Sequence, residues 1–510
     1  MPQTSHTDRL ADPALLRRIE ARLPAYLEYQ RWFTSKGQGI AALRLQPLPR
    51  FCDSGLLTLL HLRLDDGTEE VRPLPLALLD RGEDVPEGQE IVDDPQTGAH
   101  VVDAITVDRF RDSVYALLAA GKSFEDEHGT LFPESGPMLQ ARGSCEGSAY
   151  PPQHSSNSVV TYEPDGFLKL FRKTEPGLHP DAELIGYLSG ERGFGSVPQF
   201  GGALHYRPAG GGEPLSLALM LGRVDNEGEA WETIATEVAA FAKTYEPAAD
   251  AVPEGGLLSA LRQDDLAPAL REAMSARTLA RIELLGKRTA EMHLHFAAAQ
   301  EPGIAPEDLT QEYWAAAKTA LVERLGTEAA RADESLVPTL ETIRTWLSSR
   351  ALPTLKGGRI RVHGDYHLGQ VLDTGDDLVI IDFEGEPLHS LAYRRRRHPA
   401  FKDVAGMLRS LHYAPYAHAI QQTAGGEDDF AAAADWYAAA SRIFLTTYLR
   451  RVGEASFLPA DATERATLLS FFLADKAVYE LAYERSSRPD WIEIPRQGIR
   501  QVVRMFEAIG

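Results

Sequence analysis

Residues 359 to 386, RIRVHGDYHLGQVLDTGDDLVIIDFEGE, decide how the rest of the chain is read. Ile360 to Val362 has the composition of a short buried strand, HGDYHLGQ (363 to 370) that of a loop leaving it, and Leu378 to Ile381 that of a second strand ending on Asp382. Short apolar runs bounded by Gly and Asp read as strands joined by turns, which leaves polar side chains at the strand ends. Asp365 and Gln370 are five positions apart, and Asp382 follows one hairpin later.

An acid, an amide and a second acid in that order suit metal-dependent phosphoryl transfer. In such a reaction the protein mainly positions groups and neutralises charge. One carboxylate orients the attacking hydroxyl and takes its proton, and hard oxygen ligands hold Mg²⁺ against the phosphates. Asp365 is the expected base, with Gln370 and Asp382 the expected metal ligands. The separation of Asp365 and Gln370 equals that of the catalytic Asp and the metal-binding Asn in protein-kinase loops. Gln carries its amide oxygen on a longer arm, so the loop differs slightly from a protein kinase's. Taken singly, Asp365 reads as a turn cap, His363 as packing beneath it and Asp382 as a strand end; the three in this order favour chemistry.

The chain has 510 residues, 44% of them hydrophobic, enough for a large core and more than one domain. With 52 Lys+Arg against 74 Asp+Glu, the net charge of −22 argues against nucleic acid or an anionic membrane as partner. Two cysteines, Cys52 and Cys145, form neither a disulfide framework nor a metal spacing, which fits a reducing compartment. The polar start and the lack of an apolar run of spanning length lead to the expectation of a cytoplasmic protein.

Three regions follow from the pattern: a β-rich cap subdomain at 1–90, a β-rich nucleotide-covering lobe at 91–224 and a helical lobe at 225–510. In the first, 14 to 31 reads as a helix and Leu56 to Leu64 and Val71 to Leu79 as strands; 80 to 98 has loop composition. In the second, QHSSNSVVTYEPDGFLKLFRK (153 to 173) reads as a hairpin with a polar tip. Kinases cover ATP phosphates with such a hairpin and reach them with a strand Lys held by a helical Glu. Ser156, Asn157 and Ser158 are the expected phosphate-covering residues, Lys169 the strand Lys, and Glu183 its partner on a helix over Pro180 to Leu188. Lys169 alone reads equally as a surface side chain with a snorkelling stem. The strand Leu215 to Leu221 ends where a hinge belongs, so backbone groups from Leu221 to Arg223 are expected to meet adenine.

From Trp231 the pattern is helical, at 231 to 245, 257 to 300, 306 to 326 and 328 to 350, with a loop at 247 to 256. His293 and His295, two apart on a helix, diverge and do not make a metal pair. RRRR (394 to 397) is either a phosphate clamp or a salt-bridged surface, and Asp403 reads as a helix N-cap. Lys476, Tyr479 and Tyr483 share one helical face, with Glu480 adjacent. Aromatic walls with donors and acceptors suit a sugar. Those four, with His367 and Glu384, are the expected substrate contacts.

RWFTSKG, SSNSVV, FLKLFRKTEPGLHPDAEL, VDNEGEAWE, HGDYHLGQVL, IIDFEGEP, FKDVAGMLRS and DKAVYELAYERSSRPDWIEIP, in this order from about residue 31 to 505, resemble bacterial maltokinases and the kinase-like domains fused to trehalose synthases. The resemblance implies an α+β, bilobal, eukaryotic-protein-kinase-like fold of the aminoglycoside-phosphotransferase type with an N-terminal cap. It further implies ATP and Mg²⁺ as cofactors, maltose as acceptor, maltose 1-phosphate as product, and functional coupling to a trehalose synthase in α-glucan synthesis. A kinase for glucosamine or an aminoglycoside is the alternative. Two departures stand out: HSSNSV where the family has Gln-Ser-Asn-Thr-Ser, and Ser487 where it has Asn before Arg-Pro-Asp-Trp.

Overall fold

In the computed structural model the described residues are 6–94, 98–142, 144–151, 156–190, 193–247, 257–258, 268–349, 355–387, 389–423 and 427–509. The chain divides into two compact units, Met1–Val224 with Ser390–Ala392, and Asp225–His389 with Tyr393–Gly510.

In the first unit, Asp12 accepts a hydrogen bond from Leu15 N at 3.2 Å and caps a helix that follows the short α1 (His6–Leu10). This helix, α2 (Pro13–Tyr29), buries Leu15, Ile19, Leu23 and Leu27 at helical spacing. Five strands follow: β1 (Ile40–Pro47), β2 (Leu56–Leu64), β3 (Glu69–Asp80), β4 (Glu90–Asp94) and β5 (Ala99–Asp103), antiparallel in the order β1-β2-β3-β5-β4. The inner strands β2 and β3 are buried on both faces, which is why they read as near-continuous apolar runs. Leu60, Leu62, Leu74 and Leu76 pack with α2, whereas Leu57, Leu59, Ala77 and Leu79 join a second core. The stretch 80 to 98, expected as loop, contains β4, and the sheet ends at Asp103 rather than near 90. Ile91 and Val92 are buried beneath an otherwise acidic exterior, a pair too short to stand out in the sequence.

That second core also receives α3 (Asp108–Ala120) and a seven-stranded sheet. Its members are β6 (Phe124–Asp126), β7 (Gly129–Ser135), β8 (Gly147–Ala149), β9 (Ser158–Glu163), β10 (Gly166–Leu170), β11 (Phe200–Pro208) and β12 (Leu215–Gly222), in the order β6-β7-β11-β12-β10-β9-β8. Helix α4 (Pro137–Arg142) lies in sequence between β7 and β8, and α5 (Pro180–Ser189) between β10 and β11. The two sheets are joined by a buried charge. Arg172, fully buried just past β10, donates from Nη2 to Asp103 Oδ2 at 2.6 Å and from Nε to Ser158 Oγ at 2.7 Å, and its guanidinium lies 4.5 Å from the centre of the Trp32 ring. Burial pushes the Asp103 carboxyl up, and the Arg172 charge opposes this.

The second unit is mainly helical: α6 (Ala230–Thr244), α7 (Ala276–Ala297), α8 (Gln311–Ala329), α9 (Val337–Ser349), α10 (Phe401–Thr423), α11 (Glu427–Val452), α12 (Ala462–Ser487) and α13 (Glu493–Ile509). Ser275, Thr310 and Asp461 cap α7, α8 and α12 through their side chains. Helices α7 and α11 approach so closely that a Cβ on Gly286 would lie 2.6 Å from Phe444 O. Glu307 and Asp308, expected at the start of a helix, instead form β13 and pair with β14 (Gly358–Arg359). Of the expected loop at 247 to 256 and helix at 257 to 300, positions 248–256 and 259–267 lie outside the described residues. Among the described residues no helix is long and apolar enough to cross a membrane.

Removing one member of a buried ion pair leaves the other charge uncompensated, a cost of about 3–5 kcal/mol. Arg172→Leu should therefore lower stability to urea by about that amount, and adding Asp103→Asn should restore part of it. Strictly additive losses in the double-mutant cycle would show that the pair is not coupled.

Candidate active site

In the second unit, β15 (Val371–Asp373) and β16 (Leu378–Ile380) form the expected hairpin, paired Val371↔Ile380, Leu372↔Val379 and Asp373↔Leu378. Ahead of it, Ile360 makes a bridge to His398, with backbone hydrogen bonds of 3.0 and 2.9 Å. The loop between contains a single 3₁₀ turn, Leu368–Gln370, capped by His367, whose Nδ1 accepts from Gly369 N at 3.1 Å. Ile381 N donates to Gln370 O at 3.0 Å, which sets the backbone of Gln370 beside the residue preceding Asp382. Asp382 has φ +66°, the one non-glycine with left-handed backbone among the described residues. That conformation is strained for most side chains and tolerated best by Asp and Asn, and such residues cluster at functional sites.

The loop is held from below by a residue whose role the sequence did not reveal. Asp403 is not an N-cap: it lies inside the first turn of α10, fully buried, and accepts from His363 N at 2.7 Å and Gly364 N at 2.9 Å. His293 Nε2 lies 3.1 Å from the same carboxylate, and its Nδ1 is 2.9 Å from Tyr448 OH. Burial alone would raise the Asp403 pKa; the His293 hydrogen bond and charge, the His363 charge and the Gly364 N–H outweigh it and hold it below the usual value. Helix α10 comes so near that a Cβ on Gly406 would lie 2.7 Å from Tyr366 O. Leu368 N is taken by Ser410 Oγ at 3.0 Å, one further turn along the helix.

Asp365 is partly open to solvent and is engaged by Lys476 of α12. Lys476 Nζ donates to Asp365 Oδ1 at 3.1 Å and to Glu386 Oε1 at 2.7 Å. Burial disfavours the ammonium, but Asp365 and Glu386 more than reverse this and raise its pKa. Burial likewise pushes Glu386 up, yet the His389 hydrogen bond and the charges of Lys476 and Lys402 hold it far below the carboxylate range. Lys476, expected to touch substrate, thus orients the expected base, and Glu386 completes the arrangement. His367 is lowered by burial, against the opposing charge of Asp365, so its ring is neutral at pH 7. With Nδ1 accepting, the ring proton sits on Nε2 and is available for donation.

On α12, Tyr479 lies under Lys476, whose Nζ is 5.0 Å from its ring centre, and the Tyr483 ring is 46% exposed. Glu480, expected to touch substrate, is instead paired with Arg409, whose Nε and Nη2 reach its Oε2 at 2.8 and 2.7 Å. Glu484 accepts from Tyr413 OH at 3.0 Å and from Arg488 at 2.9 and 2.6 Å. Glu480 turns inward because Arg409 is buried and needs a counter-ion, and Glu484 is itself buried beside Tyr413. Glu384 presents its backbone oxygen to Arg394 Nη1 at 3.0 Å. Of the RRRR run, Arg394 and Arg397 bind backbone carbonyls and Arg397 also pairs with Glu307, so these two are structural.

In the first unit, Lys169 Nζ donates to Asp181 Oδ2 at 2.8 Å, and Asp181 is fully buried in the first turn of α5. The partner seen is therefore Asp181, two positions before the expected Glu183, which lies half-buried on the same turn. In the β9–β10 register Lys169 faces Val159 and Ser158 faces Leu170. Cross-strand partners share a face, so Ser158 points away from the Lys169 side, and its hydroxyl is taken by Arg172. Asn157 Oδ1 accepts from Arg172 N at 3.4 Å and Ser156 is exposed, while 153–155 of the expected tip lie outside the described residues. Leu221 is buried in β12. Gly222 N and Arg223 N donate to Gln199 O and Asp165 O at 2.8 and 2.6 Å, so those two hinge donors are already committed.

Gln370 and Asp382 offer hard oxygen donors of the kind Mg²⁺ takes. Asp382→Ala should abolish phosphoryl transfer with little change in thermal midpoint, and Asp365→Asn should cost about 10²–10⁴ in rate at unchanged ATP affinity. Near-normal turnover in either variant would remove the assignment. Because the folded-state pKa of Glu386 is depressed, its stabilisation is complete above the unfolded carboxylate value and fades as pH falls. Glu386→Gln should accordingly lose less stability than wild type between about pH 5 and pH 3 in chemical denaturation. Parallel pH profiles would contradict it.

Residues 234–393 match the phosphotransferase enzyme family, APH. A glucosamine kinase of Streptacidiphilus jiangxiensis is 27% identical over 333 residues, 64% of this chain and 66% of that protein. One of Mycolicibacterium smegmatis is 31% identical over 240 residues, covering 45% of this chain and 53% of the relative. The matches thus span less than two thirds of the length of either curated relative. A glucosamine kinase solved in complex with glucosamine, ADP and inorganic phosphate aligns with 96% of this chain and 99% of its own, with a TM-score of 0.65 at 22% identity. With a helical part following antiparallel sheets, the chain has the mixed α and β kinase fold of the aminoglycoside-phosphotransferase type, and its residues 234–393 carry the match to the phosphotransferase enzyme family.

Proposed function

We propose that this protein transfers the γ-phosphoryl group of ATP to a sugar hydroxyl, with maltose as acceptor and its anomeric hydroxyl as nucleophile. The observation that carries the reading is Asp365, a partly open carboxylate oriented by the Lys476 ammonium at 3.1 Å on a loop fixed by Asp403. Asp365 accepts the hydroxyl proton as the oxygen attacks phosphorus, and Lys476 stays protonated and fixes the carboxylate's rotamer. His367, neutral with its proton on Nε2, serves as a donor to the acceptor or to a phosphate oxygen. Lys169, held by Asp181, supplies positive charge to the nucleotide phosphates. Mg²⁺ on Asp382 and Gln370 would neutralise phosphate charge when bound.

The character of α12 favours a neutral sugar. An ammonium-bearing acceptor such as glucosamine calls for an open carboxylate, and Glu480 is committed to the buried Arg409 and Glu484 to Arg488 and Tyr413. Tyr479 and Tyr483 provide ring faces for a disaccharide. In this reading a trehalose synthase would supply the maltose and the product would feed α-glucan synthesis. A second reading, glucosamine as acceptor, is supported by the names of the relatives at 27% and 31% identity.

Incubating purified protein with ATP, Mg²⁺ and a panel of maltose, glucose, glucosamine and kanamycin, with products identified by NMR, separates them. Maltose 1-phosphate is the expected main product; much faster turnover of glucosamine would establish the second reading, and no sugar-dependent ATP consumption would remove both. Tyr479→Ala should raise the KM for maltose about fivefold with kcat nearly unchanged, the scale of a lost stacking contact of about 1 kcal/mol. Unaltered maltose kinetics in that variant would rule out the α12 pocket.

A further inference from the structure

Lys476, Glu480 and Glu484 lie four positions apart on α12 and so form one row along the helix. Each member of the row is held from outside α12. Lys476 Nζ donates to Asp365 Oδ1 at 3.1 Å, Arg409 Nε donates to Glu480 Oε2 at 2.8 Å, and Tyr413 OH donates to Glu484 Oε1 at 3.0 Å. Arg409 and Tyr413 are themselves four apart on α10, so two successive turns of α10 meet two successive turns of α12. The next rung of this ladder is the contact to Asp365.

Helix α10 also fixes the loop that carries Asp365. Asp403 takes His363 N and Gly364 N, and Ser410, the neighbour of Arg409, takes Leu368 N. Asp365 is thus placed by α10 and Lys476 by α12, and the register between the two helices decides whether they meet. A helix rises about 1.5 Å per residue, whereas hydrogen-bond lengths span only about 0.5 Å, so a slip of one residue is enough to break the contact. Of the two rungs between the helices, Arg409–Glu480 is the more directional. Arg409 is 1% exposed, and its Nε and Nη2 both reach Glu480 Oε2. Its guanidinium fits beside α13 because position 498 is glycine; a Cβ there would collide with Nη1, Cζ and Nη2. A buried ion pair adds little stability over an apolar pair of the same volume, and what this one adds is a fixed register.

We infer that Arg409 is a positioning residue for phosphoryl transfer: through Glu480 it sets α12 against α10 and so holds the Lys476 ammonium on Asp365. The inference rests on the reading of Asp365 as the base. Arg409→Met/Glu480→Met removes the pair, keeps the buried volume and leaves no unpaired charge, so the variant folds with a thermal midpoint near that of wild type. Its kcat for the preferred sugar should fall about tenfold with the KM for ATP unchanged, and its crystal structure should show Lys476 Nζ beyond hydrogen-bond distance of Asp365. Wild-type kcat in the folded double variant, or a Lys476–Asp365 contact kept near 3.1 Å in its crystal structure, would overturn the inference. Gly498→Ala, which alters no charge and displaces the guanidinium, should lower kcat at least threefold; if the double variant does not fold, a wild-type kcat in Gly498→Ala overturns the inference instead. A wild-type protein that consumes no ATP with any sugar removes the kinase reading, and the crystallographic distance then decides the positioning alone.

Discussion

One buried carboxylate organises the loop that carries Asp365. Asp403 accepts the consecutive N–H groups of His363 and Gly364, and these are the two residues that precede Asp365. A loop carrying a base must be rigid to be useful, because misplacing a reacting group by about 1 Å can cost about a hundredfold in rate. Hydrogen bonds to a charged acceptor are worth about 1.5–3 kcal/mol each. The charge itself needs support in a dry interior, and His293, held in turn by Tyr448, gives it. Gly406 and Ser410, one and two turns along α10, extend the same grip to Tyr366 and Leu368. Asp365, the proposed base, is therefore mounted on a helix although it sits in a loop.

Lys476 adds the second constraint, from a different helix. Its single ammonium bridges Asp365 and Glu386, so the Asp365 loop, the segment after Asp382 and α12 are joined by one side chain. A cation shared by two carboxylates keeps both ionised and leaves neither free to rotate. The same economy recurs in the first unit, where Arg172 joins Asp103, Ser158 and the Trp32 ring. There the chain just past the strand that carries Lys169 is anchored by Asp103 and Trp32, which ties the five-stranded sheet to the seven-stranded one.

Much of this was legible before any coordinates. The strand-rich first half, the helical second half and the 359–386 hairpin followed from period and turn residues, which are local signals, and the kinase class was what the family resemblance implied. The boundaries of β2, β12 and α5 could be read almost to the residue for the same reason. What could not be read was pairing over long sequence distance. Asp181 and Glu183 share a helical turn, and only packing decides which one Lys169 meets. Glu480 and Lys476 share a face of α12, and only the buried Arg409 on α10 explains why the acid turns inward. Asp403 resembled an ordinary helix cap because its partners lie 40 and 39 residues away. β4 was hidden because two buried residues in an acidic stretch carry no periodic signal.

The central claim is that Asp403 holds the loop on which Asp365 acts. Single-turnover phosphoryl transfer from ATP to the preferred sugar, measured for wild type and for Asp403→Asn with ATP affinity and circular dichroism in parallel, tests it most directly. An Asn side chain keeps one acceptor oxygen and loses the charge and the second, so the rate should fall at least about tenfold, the equivalent of one charged hydrogen bond. ATP affinity and helical content should stay at the wild-type level. A folded Asp403→Asn protein that transfers phosphate at the wild-type rate would contradict the account.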